Sequence, residues 1–376
     1  MFQPQGGGSP PTGDVCPPWL RERLARAGGW LPWNEVMQAA LYDPAHGYYA
    51  GGPRRIGRGG DFYTAVSVGP LYGRLLAELA AQVWQKSGCP QRFTLAEQAA
   101  HDGQLMADLL AAIQQQHPHL AASAEVTLIE PQSAYHAVQE TTVRAVWPGP
   151  LRWIATAGEL DCAAGLLVCN ELLDALPVHR VRRGSDSWLE LGVELATDGT
   201  LDWAARPITD AGLRTQADTL PPDLPEGYTT EIQCAVGDWM RQLGGSGFCG
   251  TVCIADYGLD AEDYFSAERP DGTLRRYWQH RMDDRVLEDL GQADLTCHVN
   301  FTALNTAARE AGFEVAVDSD QGRFLTRLAE PWLRSLEGRA PSRETAALLR
   351  QFQSLTHPGI MGRSFRMLLL ERKALL

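Results

Sequence analysis

Residues 93–110 (FTLAEQAAHDGQLMADLL) constrain the fold more than any other stretch of the chain. A short apolar run ends in Glu97, a turn region continues to Gly103, and leucines then recur at helical spacing. A strand, a tight turn and a helix in this order open an α/β unit, in which a ligand binds beyond the carboxyl end of the strand and against the helix N-terminus. The turn is poor in glycine, so its ability to hold a cofactor has to be judged from the rest of the chain.

The succession of an apolar strand and a helix repeats along the chain. Further strands are predicted at 125–130, 151–155, 165–171, 250–258, 313–319 and 364–372. Because these strands are almost continuously apolar, they indicate an α/β fold whose mostly parallel sheet is covered by helices on both faces. The helical stretch at 322–355 makes the last two strands expected sheet partners.

The chain is predicted to have three parts. Residues 1–16 form a disordered tail, 17–90 an N-terminal helical and lid region, and 91–376 the α/β domain. Alternating polar and apolar residues with turn signals predict that 178–247 are an inserted antiparallel β and helical segment.

Three details of these regions are also predicted. Residues 19–40 are expected to be helical, with a break at Gly28 and Gly29 and a second helix start at 33–35, and residues 263–280 are expected to be a polar loop. The glycine-dense segment 51–65 is either a solvated loop or a flexible lid over a ligand.

Charge and cysteine content exclude several classes of function. The net charge of −13 argues against a binder of duplex nucleic acid, and is compatible with a small-molecule ligand or a basic protein substrate. The eight cysteines contain no C-x-x-C pair, so we expect neither a zinc site nor a disulfide framework. The N-terminus lacks an apolar signal region, and no stretch approaches the ~18 apolar residues of a membrane span. We therefore expect a reducing, cytoplasmic compartment.

Two predicted neighbouring strands end in acids, Glu97 and Glu130. An acid after the second strand can accept both hydroxyls of a ribose, as in nicotinamide and adenosyl cofactors, although many such acids only cap the next helix. The dinucleotide motif G-x-G-x-x-G is absent. Ala99, His101 and Asp102 supply bulk and negative charge, which disfavours a pyrophosphate. S-adenosylmethionine has a sulfonium cation and no phosphate, so an acidic rim suits it better.

The segment NELLDALPV places Asn170, Glu171 and Asp174 at the end of the fourth strand. If a helical turn begins here, all three side chains can face one small volume. Such a cluster could hold a guanidinium, which presents a planar fork of donors. The simpler alternative is that Asn170 and Asp174 cap a helix. The acid Asp256 ends the fifth strand in a similar way.

Several motifs together resemble the MidA-like family of S-adenosylmethionine-dependent methyltransferases, which includes the mitochondrial complex I assembly methyltransferase. They span 41–325 and are LYDPAHGYY, GDFYTA, the turn at Glu97, Glu130 with Ser133 and Gln139, NELLDALPV, ADYG, RPDGTLRRY with His280, and DLTCHVNF.

The resemblance implies a seven-stranded methyltransferase fold with an antiparallel last strand. It implies that Gly60, Asp61, Phe62 and Thr64 close over S-adenosylmethionine, that the turn with Glu97, Gln98, Ala99, His101 and Gly103 receives its methionine part, and that Glu130 receives its ribose. Asn170, Glu171 and Asp174 match the motif beside the methyl group. Mitochondrial members are similar to protein arginine methyltransferases acting on a respiratory complex subunit, so the expected partner is a protein substrate.

This chain departs from the family at the cofactor turn, which reads approximately E-x-G-x-G-x-G in the family. Ala99 and His101 replace two of the three glycines. If either position needs a positive φ, its side chain costs of order 1 kcal/mol or more.

Three functional hypotheses follow from these residues. The leading one is transfer of a methyl group to a nitrogen, most plausibly of a protein arginine. The second is a binding or assembly factor whose altered turn no longer supports methyl transfer. The third, a nicotinamide-dependent oxidoreductase, lacks a phosphate-binding turn.

Overall fold

The computed structural model describes residues 16–52, 64–278, 281–338 and 342–373. The helices of this part are α1 (Pro18–Arg26), α2 (Trp33–Tyr42), α3 (Leu71–Lys86), α4 (Gln104–Gln116), α5 (Pro118–Ser123), α6 (Ser133–Arg144), α7 (Ala211–Ala217), α8 (Cys234–Gly245), α9 (Ala261–Tyr264), α10 (Phe301–Glu310), α11 (Gln321–Ser335) and α12 (Arg343–Thr356).

The strands of the same part are β1 (Trp30–Pro32), β2 (Phe93–Gln98), β3 (Ala124–Ile129), β4 (Leu151–Ile154), β5 (Asp161–Cys162), β6 (Gly165–Asn170), β7 (His179–Arg183), β8 (Trp188–Leu195), β9 (Leu201–Pro207), β10 (Thr229–Ile232), β11 (Gly247–Phe248), β12 (Gly250–Leu259), β13 (Arg275–Trp278), β14 (Arg281–Asp283), β15 (Asp294–Thr296), β16 (Val299–Asn300), β17 (Glu314–Asp320) and β18 (Phe365–Arg372).

The central sheet follows the order β17-β18-β12-β6-β2-β3-β4, and the short strand β16 pairs beside β12. Strands β4, β3, β2, β6 and β12 are mutually parallel, whereas β18 runs antiparallel to both of its neighbours. The predicted α/β class is therefore confirmed. Because the parallel strands end at one edge, Glu97, Glu130 and Asn170 meet there.

Two apolar clusters cover the faces of the central sheet. One joins it to α3 and α4 and includes Tyr72, Phe93 and Leu110, and the other joins it to α8 and α10. A third cluster packs α1 and α2 against the inserted strands, with Trp33 fully buried. The N-terminal region and the insertion thus form one layer above the sheet edge where the acids lie.

The helices predicted on either side of Gly28 and Gly29 are confirmed as α1 and α2, and α2 begins at Trp33 as expected. Between them, Trp30–Pro32 form a strand that pairs with residues 192–194 of β8. The helix of the inserted segment, α8, begins at Cys234, because β10 extends to Ile232 and pairs with β7. In both places pairing with a distant strand decides the structure. Among the described residues, no helix is long and apolar enough to cross a lipid bilayer.

Glu231 ties the insertion to the segment after α9. Its buried carboxylate accepts hydrogen bonds from the backbone N–H of Thr273 (3.0 Å), the hydroxyl of Tyr264 (3.2 Å) and the backbone N–H of Leu274 (3.3 Å). Within the predicted loop, residues 264, 273 and 274 therefore contact this carboxylate, and the chain then continues into β13.

We predict that Glu231→Gln lowers the free energy of unfolding by about 2 kcal/mol, because the backbone donors lose a charged acceptor and a buried NH₂ lacks a partner. Urea unfolding measures the effect. The matched control is Glu226→Gln, an exposed glutamate of the same insertion, which should leave the midpoint unchanged. Equal midpoints for both variants would show that this carboxylate does not hold the segment.

Candidate active site

The cofactor turn between β2 and α4 adopts left-handed backbone conformations at all three positions where the family pattern has glycine. The φ angles are 62° at Ala99, 48° at His101 and 83° at Gly103. Only glycine adopts this region without strain. The conformational free-energy cost expected for a side chain at a positive φ therefore applies at both Ala99 and His101. Gly103 is the N-cap residue of α4, and its backbone N–H donates to the carbonyl of Ala100 (2.7 Å).

His101 is held against α6. Its ring meets that of Tyr135 edge-on, with 6.1 Å between centroids, and its Nδ1 lies 3.7 Å from a carboxylate oxygen of Asp102. Its backbone carbonyl accepts a hydrogen bond from Nε2 of Gln139 (3.1 Å). These contacts hold the turn in its strained conformation.

Glu97 lies buried beneath this turn. Burial, together with the nearby Asp102, raises the pKa of Glu97 to about 8, against the opposing effect of the backbone N–H of Met106. Its Oε2 is buried without a hydrogen-bond partner in the described part of the chain. The neighbouring Gln98 turns its amide oxygen toward Trp239 (2.8 Å), so it supports α8.

Glu130 lies at the end of β3 and is half-buried. Its carboxylate accepts hydrogen bonds from the backbone N–H of Gln132 (3.0 Å) and from Nε2 of Gln139 (3.3 Å). Burial raises the pKa of Glu130. Because Gln139 also bonds the carbonyl of His101, one amide joins Glu130 to the turn.

Of the predicted lid residues, Gly60, Asp61 and Phe62 lie outside the described residues, as does His280. Thr64 is buried, and it exchanges hydrogen bonds with Ser67 that close a short turn before α3.

Asn170, Glu171 and Asp174 come together at the end of β6. Nδ2 of Asn170 donates to the carboxylate of Glu171 (3.0 Å), and Glu171 has a left-handed φ of 51°. Burial, followed by the charge of Asp174, raises the pKa of Glu171 to about 8. Burial also raises the pKa of Asp174, whose Oδ1 has no partner among the described residues. The segment forms an irregular turn instead of the expected helical one.

Asp256 of β12 supports this turn. Its carboxylate accepts hydrogen bonds from the backbone N–H groups of Leu173 (2.9 Å) and Tyr257 (2.9 Å), and a longer one from that of Asp174 (3.4 Å). Both of its oxygens are thereby used within the protein, so Asp256 positions Asp174.

The acids Glu171, Asp174 and Asp256 at the ends of β6 and β12 are called the acidic pocket, or simply the pocket, below. Sequence reasoning missed the contribution of the N-terminal region to it. The hydroxyl of Tyr42 donates to the carbonyl of Ala175 (2.9 Å), and the hydroxyl of Tyr49 donates to the carboxylate of Asp294 (2.9 Å). Asp294 lies close enough to Glu171 to raise its pKa further. The motif LYDPAHGYY, which contains both tyrosines, was the available signal.

His298 lies at the side of the pocket, where its ring meets that of Tyr257 edge-on at 5.5 Å. Burial and the charges of Arg275 and Arg269 lower the pKa of His298 to about 4, so its ring is neutral at pH 7. No group of three or more histidine, cysteine or acidic side chains in the described ranges could hold a metal ion.

The pocket is acidic, and the charges of Arg269 and Arg275 act on His298 at its side. Glu171, Asp174 and Asp256 are not in an ion pair with any lysine or arginine of the described part. Buried carboxylates are normally paired, so the arrangement suits a ligand that brings positive charge.

We predict that Ala99→Gly raises the free energy of unfolding by up to about 1 kcal/mol, because glycine relieves the left-handed strain at some cost in unfolded-chain entropy. Chemical denaturation measures this change. The control is Ala100→Gly at a buried position without a positive φ, which should be destabilising. If both variants lose stability equally, position 99 is not strained.

Comparisons with known proteins agree with this geometry. The model of the family described as "Putative S-adenosyl-L-methionine-dependent methyltransferase" matches residues 75–318. The protein arginine methyltransferase NDUFAF7 homolog, mitochondrial, of Drosophila melanogaster is 27% identical, covering 93% of this chain and 83% of its own. Its Rattus norvegicus counterpart is 25% identical, covering 96% and 85%. A Burkholderia thailandensis protein crystallised with S-adenosyl-homocysteine has a TM-score of 0.83 and 30% identity, covering 94% of this chain and 91% of that one.

The expected cytoplasmic location is wrong, because the curated relatives are named as mitochondrial proteins. The expectation rested on unpaired cysteines and on the lack of an apolar segment. These features distinguish a protein of a reducing compartment from a secreted one, but they do not show which reducing compartment it occupies. The expected family and its cofactor are confirmed: the chain belongs to the MidA-like family of S-adenosyl-L-methionine-dependent methyltransferases.

Proposed function

We propose that this chain methylates a guanidinium nitrogen of an arginine side chain in a protein. The observation that carries the proposal is the pocket around Glu171 and Asp174. Within the described part of the chain, these buried carboxylates form no ion pair and Oδ1 of Asp174 has no hydrogen-bond partner. A guanidinium is always charged and presents five N–H donors in one plane, which matches carboxylate acceptors. The names of the relatives, protein arginine methyltransferases, support the same acceptor.

The residues at the ends of β2 and β3 fit S-adenosylmethionine. The unpaired buried oxygen of Glu97 is an acceptor for the cationic amino group of its methionine part, and Glu130 is an acceptor for its ribose hydroxyls. Gln98, Ala99, His101 and Gly103 would form the wall beside the methionine part, and the resemblance assigns Gly60, Asp61, Phe62 and Thr64 to the cover. When bound, this cofactor supplies a methyl group on a sulfonium sulfur.

The acceptor side is assigned to Asn170, Glu171 and Asp174. Asp174 would pair with the guanidinium and orient it, while Asn170 holds the carboxylate of Glu171. Glu171 would accept the proton that the nitrogen loses, since neutral arginine is inaccessible at pH 7. Most of the rate enhancement would come from positioning the two reactants.

We also propose how the chain is divided for this function. Residues 91–376 would form the seven-stranded methyltransferase domain with the insertion at 178–247, residues 17–90 would cover it, and residues 1–16 would be a tail. The protein substrate is proposed to be a respiratory complex subunit, on the resemblance alone. Mass spectrometry for methylarginine in a deletion strain, after a pull-down with this protein, would identify it.

One observation favours a second candidate, a binding factor without turnover. The left-handed Ala99 and His101 strain the cofactor turn, and they bring side chains to positions where the family pattern has none. Such a factor would bind a protein partner and leave its arginines unmethylated. Transfer of a labelled methyl group from S-adenosylmethionine to an arginine peptide separates the two candidates.

We predict that Glu171→Gln lowers turnover of an arginine peptide by about 10²- to 10⁴-fold, because the proton acceptor is lost. The affinity for the cofactor should stay within about threefold, since Glu171 lies on the acceptor side. Release of S-adenosylhomocysteine measures the rate, and calorimetry measures the affinity. The exposed Glu262→Gln is the control, and unchanged turnover in Glu171→Gln would refute the role.

The pH dependence gives a further prediction. At saturating cofactor, kcat/KM for the peptide should rise with pH until about 8, because Glu171 is protonated below its raised pKa and must be ionised to act. Glu171→Gln should lose this dependence. A wild-type profile that is already flat at pH 6 would contradict the assignment.

A further inference from the structure

Asp294 approaches the acceptor pocket from β15. It is 3% exposed, and it lies opposite Tyr277 in the antiparallel pair of β15 with β13. Three residues later, the backbone N–H of Cys297 donates to the carbonyl of Asp174 (2.9 Å). The strand that carries Asp294 is thereby fastened to the turn that carries Asp174.

Tyr49 of the N-terminal region holds the carboxylate of Asp294, and Tyr42 packs on Tyr49. The hydroxyl of Tyr49 donates to Oδ1 of Asp294 (2.9 Å), and the backbone N–H of Leu295 donates to the same oxygen (3.0 Å). The ring of Tyr42 stacks on that of Tyr49 with 5.6 Å between centroids, and its hydroxyl bonds the carbonyl of Ala175. These contacts connect Asp294 to the residue that follows Asp174.

The carboxylates of this region differ in what holds them. Backbone N–H groups occupy both oxygens of Asp256, which makes it a support for the turn. Glu171 receives a side-chain amide, and the partners of Asp294 include a phenol hydroxyl and one backbone N–H group. Asp174 keeps a fully buried oxygen without a partner in the described chain. The pocket thus has acidic groups on two sides, Glu171 and Asp174 from the fourth strand and Asp294 from the segment after the fifth.

We propose that Asp294, held by Tyr49, is a further substrate-binding carboxylate of this pocket and makes it select a guanidinium over an ammonium group. The inference rests on the proposed arginine methylation and extends it to the choice of acceptor. A planar guanidinium has donors on separate edges that acids on two sides can engage together. An ammonium group is a compact point charge with three donors, so it gains less from a second, separate acid.

The test uses the full chain saturated with S-adenosylhomocysteine and two capped pentapeptides, one with a central arginine and one with lysine in its place. Wild-type protein should bind the arginine peptide at least about tenfold more tightly. Asp294→Asn should weaken binding of the arginine peptide about ten- to a hundredfold, as expected for loss of a charge-assisted hydrogen bond, and should remove most of the preference over lysine.

Tyr49→Phe provides a second variant that keeps the carboxylate but loosens it. It should also weaken binding of the arginine peptide, by a smaller factor than Asp294→Asn. Under turnover conditions, both variants should raise KM while kcat stays within about threefold, because the proton acceptor is untouched. The matched control is Glu190→Gln, a buried carboxylate paired with His179 in the inserted sheet (2.7 Å), which should change neither peptide affinity.

The outcomes separate this inference from the proposed function. A wild-type preference for arginine that survives in Asp294→Asn and Tyr49→Phe overturns the inference alone. Equal losses of peptide and S-adenosylhomocysteine affinity in both variants also overturn it, since they show a purely structural role. Wild-type protein that binds S-adenosylhomocysteine but neither peptide overturns the proposed function and the inference with it.

Discussion

The arrangement of this protein depends on the burial of several carboxylates at one edge of a parallel sheet. Burying a charged group is unfavourable unless hydrogen bonds or an opposite charge compensate for it. The chain supplies backbone N–H groups to Asp256, an amide to Glu171 and a phenol to Asp294. Among the described residues, no donor reaches Oδ1 of Asp174. The remaining free-energy cost of burying this carboxylate favours a cationic ligand. Such a ligand would bind most strongly beside the acids whose charge the protein does not compensate.

The backbone strain of the cofactor turn is a second indication of function. Non-glycine residues in left-handed conformations cost of order 1–3 kcal/mol each and persist when the surrounding structure enforces them. Here Gln139 bonds the carbonyl of His101, and the ring of His101 packs on Tyr135. The turn therefore keeps the backbone path of a glycine-rich loop without two of its glycines. Beneath the turn, Oε2 of Glu97 is buried without a partner among the described residues, and it is an acceptor to which a cationic amino group would donate.

Much of the sheet could be predicted from the sequence, because buried parallel strands are continuous apolar runs that end in polar residues. The meeting of Glu97, Glu130 and Asn170 followed from that pattern alone. The three-residue strand β1 could not be predicted, since it exists only by pairing with residues 192–194. The bond between Tyr49 and Asp294 joins residues 245 positions apart, and no local pattern indicates such a contact. The left-handed φ angles of Ala99 and His101 could not be predicted outright. The family pattern shows that glycine is usual at these positions, but it does not show which conformation another residue adopts there.

The most direct test of this account is whether the strained turn still binds the cofactor. Isothermal titration of the purified full chain with S-adenosylhomocysteine should show one site, with nicotinamide adenine dinucleotide giving no heat of binding. Glu97→Gln should weaken the binding of S-adenosylhomocysteine at least about tenfold, because the amino group loses a charged acceptor. Wild-type protein that binds neither S-adenosylmethionine nor S-adenosylhomocysteine would contradict the account and favour a binding factor without methyl transfer.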